Sequence, residues 1–242
     1  MPMSLEYTIL DFDSNLFEFK VVKILSPRAS LKELQLLLMQ LATQDVHLVY
    51  WAVDSGDAEL LLVAKQMQGF LGGQQVTYTV NLRDLPVTLS VLEDVKTYEY
   101  NEPNADLENL AVQAGNYSHF KADPKFPSNL FFKLYMAWIN NSVNGKVADV
   151  VLVTRRGDKI IGMITVGRKN DCGDIGLLAV ASEYRGQNIG TNLVRSAQLY
   201  WRNRGITVGR VVTQMANKSA CRLYENCGFK IAKIDNFYHF WL

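Results

Sequence analysis

Between an apolar run, Ile175 to Val180, and a run with helical spacing, Ile189 to Tyr200, the chain places Arg185-Gly186-Gln187-Asn188-Ile189-Gly190. A strand that passes through a polar, glycine-bearing turn into a helix is a way to hold an anion. The first amides of a helix have no partner inside it, and the helix dipole adds partial positive charge there. Gly186 and Gly190 let backbone approach a ligand where a side chain would collide. The charges agree: Arg185, Arg195, Arg202, Arg204, Arg210, Lys218 and Arg222 follow one another with no Asp or Glu between Arg185 and Arg222. A phosphate-bearing ligand suits that field. A P-loop is excluded, because no Gly-Lys-Ser/Thr follows the turn, and the Gly-x-Gly-x-x-Gly of a dinucleotide site is missing too.

The elements around this turn follow from spacing. Ile189, Leu193, Ala197 and Tyr200 share a helix face, Gly205 stops that helix, and Thr207 to Thr213 reads as the next strand. Asn217 then opens a second helix that Gly228-Phe229 ends. Upstream, Leu5–Leu10 and Val21–Leu25 read as strands joined by a turn, Asp11 to Phe17. Ser30 caps a helix reaching about Gln44, His47–Val53 is a strand, Ala58–Gln68 a helix and Gln75–Asn81 a strand. An acidic, proline-bearing stretch, Leu82 to Pro103 with Glu93 and Asp94, reads as a linker with a domain boundary near residue 95. Asp106–Gly115 and Asn129–Ser142 are expected as helices around a loop, Tyr117 to Pro127. Val147–Thr154 and Lys159–Gly167 are expected as a hairpin.

Composition narrows the class. The 242 residues are 48% hydrophobic, and 25 Lys and Arg against 24 Asp and Glu give a net charge of +1. The basic bias is therefore local, and the chain as a whole is no nucleic-acid binder. Cys172, Cys221 and Cys227 are odd in number and lack CxxC spacing, which points to a reducing cytoplasm and to no zinc. No secretory leader and no apolar run of membrane-spanning length is evident, so no membrane role is expected.

The turn region resembles the GNAT family of N-acetyltransferases. Leu178-Ala-Val-Ala-Ser-Glu-Tyr-Arg185-Gly-Gln-Asn188-Ile-Gly190 is similar to that family's acyl-CoA motif, Arg/Gln-x-x-Gly-x-Gly/Ala. Asn217-Lys-Ser-Ala220-Cys-Arg-Leu223-Tyr224-Glu225-Asn-Cys-Gly228-Phe229 is similar to its closing-helix signature, N-x-x-A-x-x-L-Y-E-x-x-G-F. Asn188 stands where the family usually has glycine, and Asn is the non-glycine residue most at ease with positive φ. The resemblance implies an α/β (α+β) fold with a mixed, mostly antiparallel sheet, flanking helices and strands splayed at the CoA site. It implies residues 96–242 as the catalytic domain and acetyl-CoA as co-substrate. CoA would be held by the backbone of Leu178, Ala179 and Val180, by Arg185, Gly186, Gln187, Asn188, Ile189, Gly190 and Thr191, and by Asn217. Tyr224 would protonate the leaving thiolate, since a tyrosine stays protonated at neutral pH. Packing beside Leu223 is its alternative role.

Residues 1–95 form an expected smaller α/β domain. Aligning Gly69-Phe70 on Gly228-Phe229 places Lys65 at the position of Tyr224, with a helix before and a strand after each pair. One reading is a GNAT-like half without the CoA turn, walling the substrate site; the other is a common helix-strand unit. Further short matches resemble the WecD-like branch, which acetylates the 4-amino group of dTDP-4-amino-4,6-dideoxygalactose. They are Asp13-Ser-Asn-Leu-Phe17, Gly69-Phe70, Tyr117-Ser-His-Phe-Lys-Ala-Asp123-Pro-Lys-Phe126, Ile175-Gly-Leu-Leu178-Ala and Thr213-Gln-Met-Ala-Asn217. They imply a nucleotide-linked amino sugar as substrate, for surface polysaccharide. Asp13, His119 and Asp123 would be base candidates, and Phe17, Tyr117 and Phe120 would stack on the base. Other amines (a peptide N-terminus, a lysine, an aminoglycoside) and a non-catalytic CoA-binding role stay open. The aromatic end, Phe237 to Leu242, would either pair across a homodimer or close the chain's own core.

Overall fold

A computed structural model describes residues 5–86 and 94–242. Glu93 of the acidic stretch and Met1–Ser4 lie outside the described residues. The strands are β1 (Tyr7–Ile9), β2 (Lys20–Ile24), β3 (Val46–Asp54), β4 (Phe70–Asn81), β5 (Val95–Thr97), β6 (Val150–Arg156), β7 (Lys159–Lys169), β8 (Cys172–Val180), β9 (Val208–Gln214) and β10 (Lys230–Trp241). The helices are α1 (Asp11–Phe17), α2 (Leu31–Thr43), α3 (Ala58–Gln66), α4 (Ala105–Ala114), α5 (His119–Ala122), α6 (Ser128–Val143), α7 (Ile189–Arg202) and α8 (Lys218–Asn226). The described strands join one sheet in the order β1-β2-β3-β10-β4-β9-β8-β7-β6-β5. Only β2–β3 and β8–β9 are parallel pairs among the described strands. The expected mixed, mostly antiparallel sheet with flanking helices is what the chain forms.

Three expectations change, and one open alternative is decided. Asp11 to Phe17 is a helix rather than a turn: Asp11 and Asp13 lie in its first turn, where carboxylates favour a helix start, and Glu18 closes it in the left-handed region at φ 65°. The loop expected from Tyr117 to Pro127 contains α5, capped by the Ser118 side chain on the Lys121 amide. Strand β4 begins at Phe70 instead of Gln75. Its Gly72-Gly73 pair makes a bulge, across which pairing with β10 slips from Phe237↔Gly73 to Tyr238↔Leu71. The aromatic end is paired on both sides, by β3 and by β4, so β10 closes the chain's own sheet and presents no free edge to a second copy.

The sheet interleaves two similar units. Val53 on β3 pairs with Asn236 on β10, and Val212 on β9 pairs with Thr77 on β4. Both relations keep the 159-residue spacing that separates Gly69 from Gly228. The last strand of each unit is thus inserted beside the other unit's penultimate strand. Alternation along β10 assigns the faces: Ile234, Tyr238 and Phe240 pack with the α2, α3, α7 and α8 side, whereas Phe237 packs with α4 to α6.

Trp201 fixes α7 over the one place where β8 and β9 pair. Its ring lies so close over Gly173 and Gly209 that added Cβ atoms would come within 2.3 Å and 2.7 Å of it. Gly173 and Gly209 are paired directly, and the Trp201 indole N–H donates to the Gly167 carbonyl at 3.1 Å. Any larger residue at either glycine would lift the helix from the sheet.

Candidate active site

Strands β8 and β9 pair only from Gly173↔Gly209 to Ile175↔Val211. Beyond that point β8 continues against β7 while β9 continues against β4, so the two diverge. Leu178 to Val180 are left with one backbone edge unpaired by a strand, and an open groove of about 760 Å³ follows this gap. Leu178, Ala179, Val180, Arg185, Gly186, Asn188, Ile189, Gly190, Thr191 and Asn217 line it; Gln187 does not.

At the floor of this groove, α7 begins without a side-chain cap. Asn188 is its N-cap residue, left-handed at φ 60° and ψ 6°, and Gly186 is left-handed at φ 77°. The asparagine therefore keeps the backbone shape that glycine would give. The corresponding helix of the first unit, α2, is closed by a capping box, in which Ser30 accepts from the Glu33 amide and Glu33 accepts from the Ser30 amide. One helix satisfies its own first amides, and the other leaves them for an anion.

The remaining groove residues divide by task. The Asn217 Oδ1 caps α8, accepting from the Ala220 amide at 3.2 Å and the Ser219 hydroxyl at 2.9 Å. Arg185 is tied into the wall, donating from Nε to the Val180 carbonyl at 3.0 Å and from Nη2 to Gln113 at 3.4 Å. Gln113, Asn116, Ser219 and Arg222 also line the groove and were missed by motif reading. Of these, Arg222 alone carried a signal, the basic run to which it belongs. Tyr224 is not on the groove surface. It is 4% exposed, behind the groove-lining Ala220 and Leu223, with its ring 6.1 Å from Tyr78 and 5.7 Å from Phe229. Burial raises its hydroxyl well above the usual tyrosine range, which keeps it protonated.

Residues 116–229, from the rim of this groove through the Gly-Phe pair after α8, match the sequence model of the Acetyltransferase (GNAT) family. By this match that stretch is similar to the GNAT acetyltransferases. Spore coat polysaccharide biosynthesis protein SpsD of Bacillus subtilis is 28% identical over 137 residues, which is 54% of this chain and 45% of that protein. The dTDP-fucosamine acetyltransferase of Escherichia coli O6:H1 is 33% identical over 128 residues, 52% of this chain and 54% of that protein. The chain thus matches about half the length of these relatives. A GCN5-related N-acetyltransferase structure from Sphaerobacter thermophilus superposes with a TM-score of 0.66 over 98% of this chain and 76% of that one. At 15% identity it supports the fold.

Proteins of the GNAT fold use acetyl-CoA. The uncapped α7 amides, the left-handed Gly186 and the unpaired strand edge fit its pyrophosphate and pantetheine arm. Among the described residues no group of His, Cys, Asp and Glu is arranged to hold a metal ion, and no helix is long and apolar enough to cross a membrane.

On the α5 side of the GNAT sheet, the structure gathers three of the sequence candidates. The Asp123 carboxylate takes the His239 Nδ1 at 2.6 Å and the Trp241 indole N–H at 2.8 Å, and His239 Nε2 meets His119 Nδ1 at 2.8 Å. Tyr50 packs on both histidines, at ring distances of 5.6 Å and 4.9 Å. Among the described residues its buried hydroxyl has no hydrogen-bond partner, and the charges of Asp13 and Asp123 both bear on it. Burial pushes the Asp13 carboxyl up to about 6. Tyr117 stands 51% exposed on the groove rim. Phe17 and Phe120 do not face a ligand: both are core residues, packed on each other and on Phe126. His239 and Trp241 were missed because an aromatic terminal strand reads as core.

Proposed function

We propose that this chain transfers the acetyl group of acetyl-CoA to the amine of a nucleotide-linked amino sugar of the dTDP-4-amino-4,6-dideoxyhexose type, for surface polysaccharide. The observation that carries the transfer is the uncapped α7 helix at the strand gap, set against the self-capped α2 in the same sheet. The sugar class is supported by the similarity to dTDP-fucosamine acetyltransferase and to a spore coat polysaccharide protein. Three free cysteines accord with a reducing cytoplasm, where such nucleotide sugars are handled.

Acetyl-CoA supplies the acetyl group as a thioester, open to direct attack by the amine. The α7 amides from Ile189 to Thr191 hold the pyrophosphate, with Arg222 adding charge. The backbone of Leu178 to Val180 pairs with the pantetheine arm as an added strand would. Arg185 holds the end of β8 to α4 and keeps the groove open. Giving its proton to the departing thiolate requires the buried Tyr224 to turn outward past Leu223. Tyr117 stacks on the nucleotide base. Residues 1–95 act as a unit that walls the substrate side, contributing Asp13 and Tyr50.

Thiol release from acetyl-CoA, measured with dTDP-4-amino-4,6-dideoxygalactose beside a peptide amine, free lysine and an aminoglycoside, tests this reading. Turnover with the sugar nucleotide at least about 10²-fold above the other amines is the expected result. Preference for another amine overturns the substrate class, and acetyl-CoA binding without turnover on any of them overturns the enzyme reading. Tyr224→Phe keeps the ring and removes the proton; the general acid role requires kcat to fall by about 10²-fold with folding unchanged. A packing role would leave kcat as it is.

A further inference from the structure

The His119–His239–Asp123 chain has a direction that its distances and chemistry fix together. Asp123 is buried, 3% exposed, and its second oxygen accepts the Lys125 amide at 2.9 Å, so the carboxylate accepts at both oxygens. A carboxylate at 2.6 Å takes a proton from His239 Nδ1, which leaves His239 Nε2 as an acceptor when the ring is neutral. The 2.8 Å contact to His119 is then made by a proton on His119 Nδ1. Among the described residues no group hydrogen-bonds His119 Nε2, so its lone pair is the open end of the chain.

His119 does not itself line the groove; it is joined to it through its neighbours in the chain and in the sheet. Tyr117, two residues earlier, is on the rim. The His119 side chain packs against Gly72, whose added Cβ would come within 2.8 Å of it. The neighbouring Gly73 faces the side chain of Gln214, at the end of β9 where the strand gap opens, and the buried Gln214 Oε1 has no hydrogen-bond partner among the described residues. His119 itself is 8% exposed. The groups that bear on it are His239, Tyr50 from β3, Lys23 from β2 and, through Tyr50, Asp13 from α1.

We propose that Asp123 and His239 hold His119 in the tautomer that presents Nε2 to the acceptor amine, and that Nε2 takes the proton that frees the amine for attack. This rests on the acetyl-transfer reading above. The ammonium form of the amine gives one proton to Nε2. The free amine forms the N–C bond to the acetyl carbon as the C–S bond breaks. The thiolate leaves with the Tyr224 proton, the second amine proton restores Tyr224, and His119 returns its own to solvent. Burial and the neighbouring charges of His239 and Lys23 lower the His119 pKa and hold the ring neutral; the same shift makes Nε2 a weak base, so the proton it takes must pass on to solvent as the N–C bond forms. Asp123 and His239 are positioning residues.

The chain has three histidines, so nitrogen NMR of the full-length protein resolves His47, His119 and His239 separately. The expected result at pH 7 is a proton on Nδ1 and none on Nε2 for both His119 and His239, with His239 changed in Asp123→Asn. A proton on His119 Nε2 overturns the relay, whatever the substrate. In kinetics, His119→Gln is expected to lower kcat by about 10²-fold or more with acetyl-CoA affinity unchanged, and Asp123→Asn to lower kcat and shift the pH profile. A purely structural clasp would lower the unfolding temperature and leave kcat of the folded fraction alone, which also overturns the relay. If wild type fails to acetylate any sugar nucleotide, the substrate reading falls and the tautomers still decide the wiring.

Discussion

Asp13 is the clearest case of a group whose cost the structure allows to be worked out. It sits in the first turn of α1, is partly buried, and burial moves its carboxyl from 3.8 to about 6. That shift of roughly two units corresponds to about 3 kcal/mol between protonation states. The sign follows from linkage: the folded state binds the proton more tightly than the unfolded chain. Stability is therefore full below the unfolded value near 3.8 and is lost as pH rises through about 6. Asp13→Asn removes this loss but also removes a carboxylate from a helix start, which is worth about 0.3–1 kcal/mol. The expected outcome is a variant more stable than wild type by about 2 kcal/mol at pH 7.5 and nearly equal to it, or weaker, at pH 4. Urea unfolding at both values measures it. A variant less stable at pH 7.5, or one whose gain is the same at both pH values, would falsify the claim that burial raises this carboxyl.

Gly173→Ala places a methyl within 2.3 Å of the Trp201 ring and should cost about 1–3 kcal/mol, read as a lower urea midpoint; an unchanged midpoint would show that α7 is free to shift. Ser30→Ala removes half of the α2 capping box and should cost about 1 kcal/mol while leaving acetyl-CoA binding untouched. Asn188→Gly should bind acetyl-CoA as wild type does. Asn188→Val, forced to a positive φ that a branched side chain resists, should bind it more weakly by calorimetry.

The groove proposed to hold CoA was legible because its chemistry is local. The turn, its glycines and the capping Asn217 are contiguous, and the backbone shape demanded at Asn188 can be read from one residue. The substrate side was half legible. Asp13, His119 and Asp123 stood out in short motifs, but what joins them is His239, 116 residues after Asp123 and hidden in a run of aromatics. A strand that is buried on both faces carries no alternation to mark a polar member as functional. Tyr224 shows the same limit from the other side. Its spacing from Asn217 put both on one helix face, yet the ring turns inward because Ala220 and Leu223 occupy the groove side. The helix at Asp11 was missed because its carboxylates read as an exposed turn, although they favour a helix start equally well. The shared 159-residue spacing was visible as one Gly-Phe pair, and only the exchange of β4 and β10 gives it a structural meaning.

The uncapped start of α7 is the point on which the function rests. Asn188→Ser combined with Thr191→Glu would give the α7 start the residue types of the Ser30–Glu33 box of α2; Ser30 is extended where position 188 is left-handed, so the new carboxylate at 191 is what competes with a pyrophosphate for the free amides. Each charge-assisted hydrogen bond to the pyrophosphate is worth about 1.5–3 kcal/mol, so losing two should weaken acetyl-CoA binding by about 10²-fold or more. Calorimetric titration of acetyl-CoA into wild type and the double variant is the most direct measurement. The account predicts that loss with folding intact; equal affinities would contradict it and place the cofactor somewhere other than the α7 N-terminus.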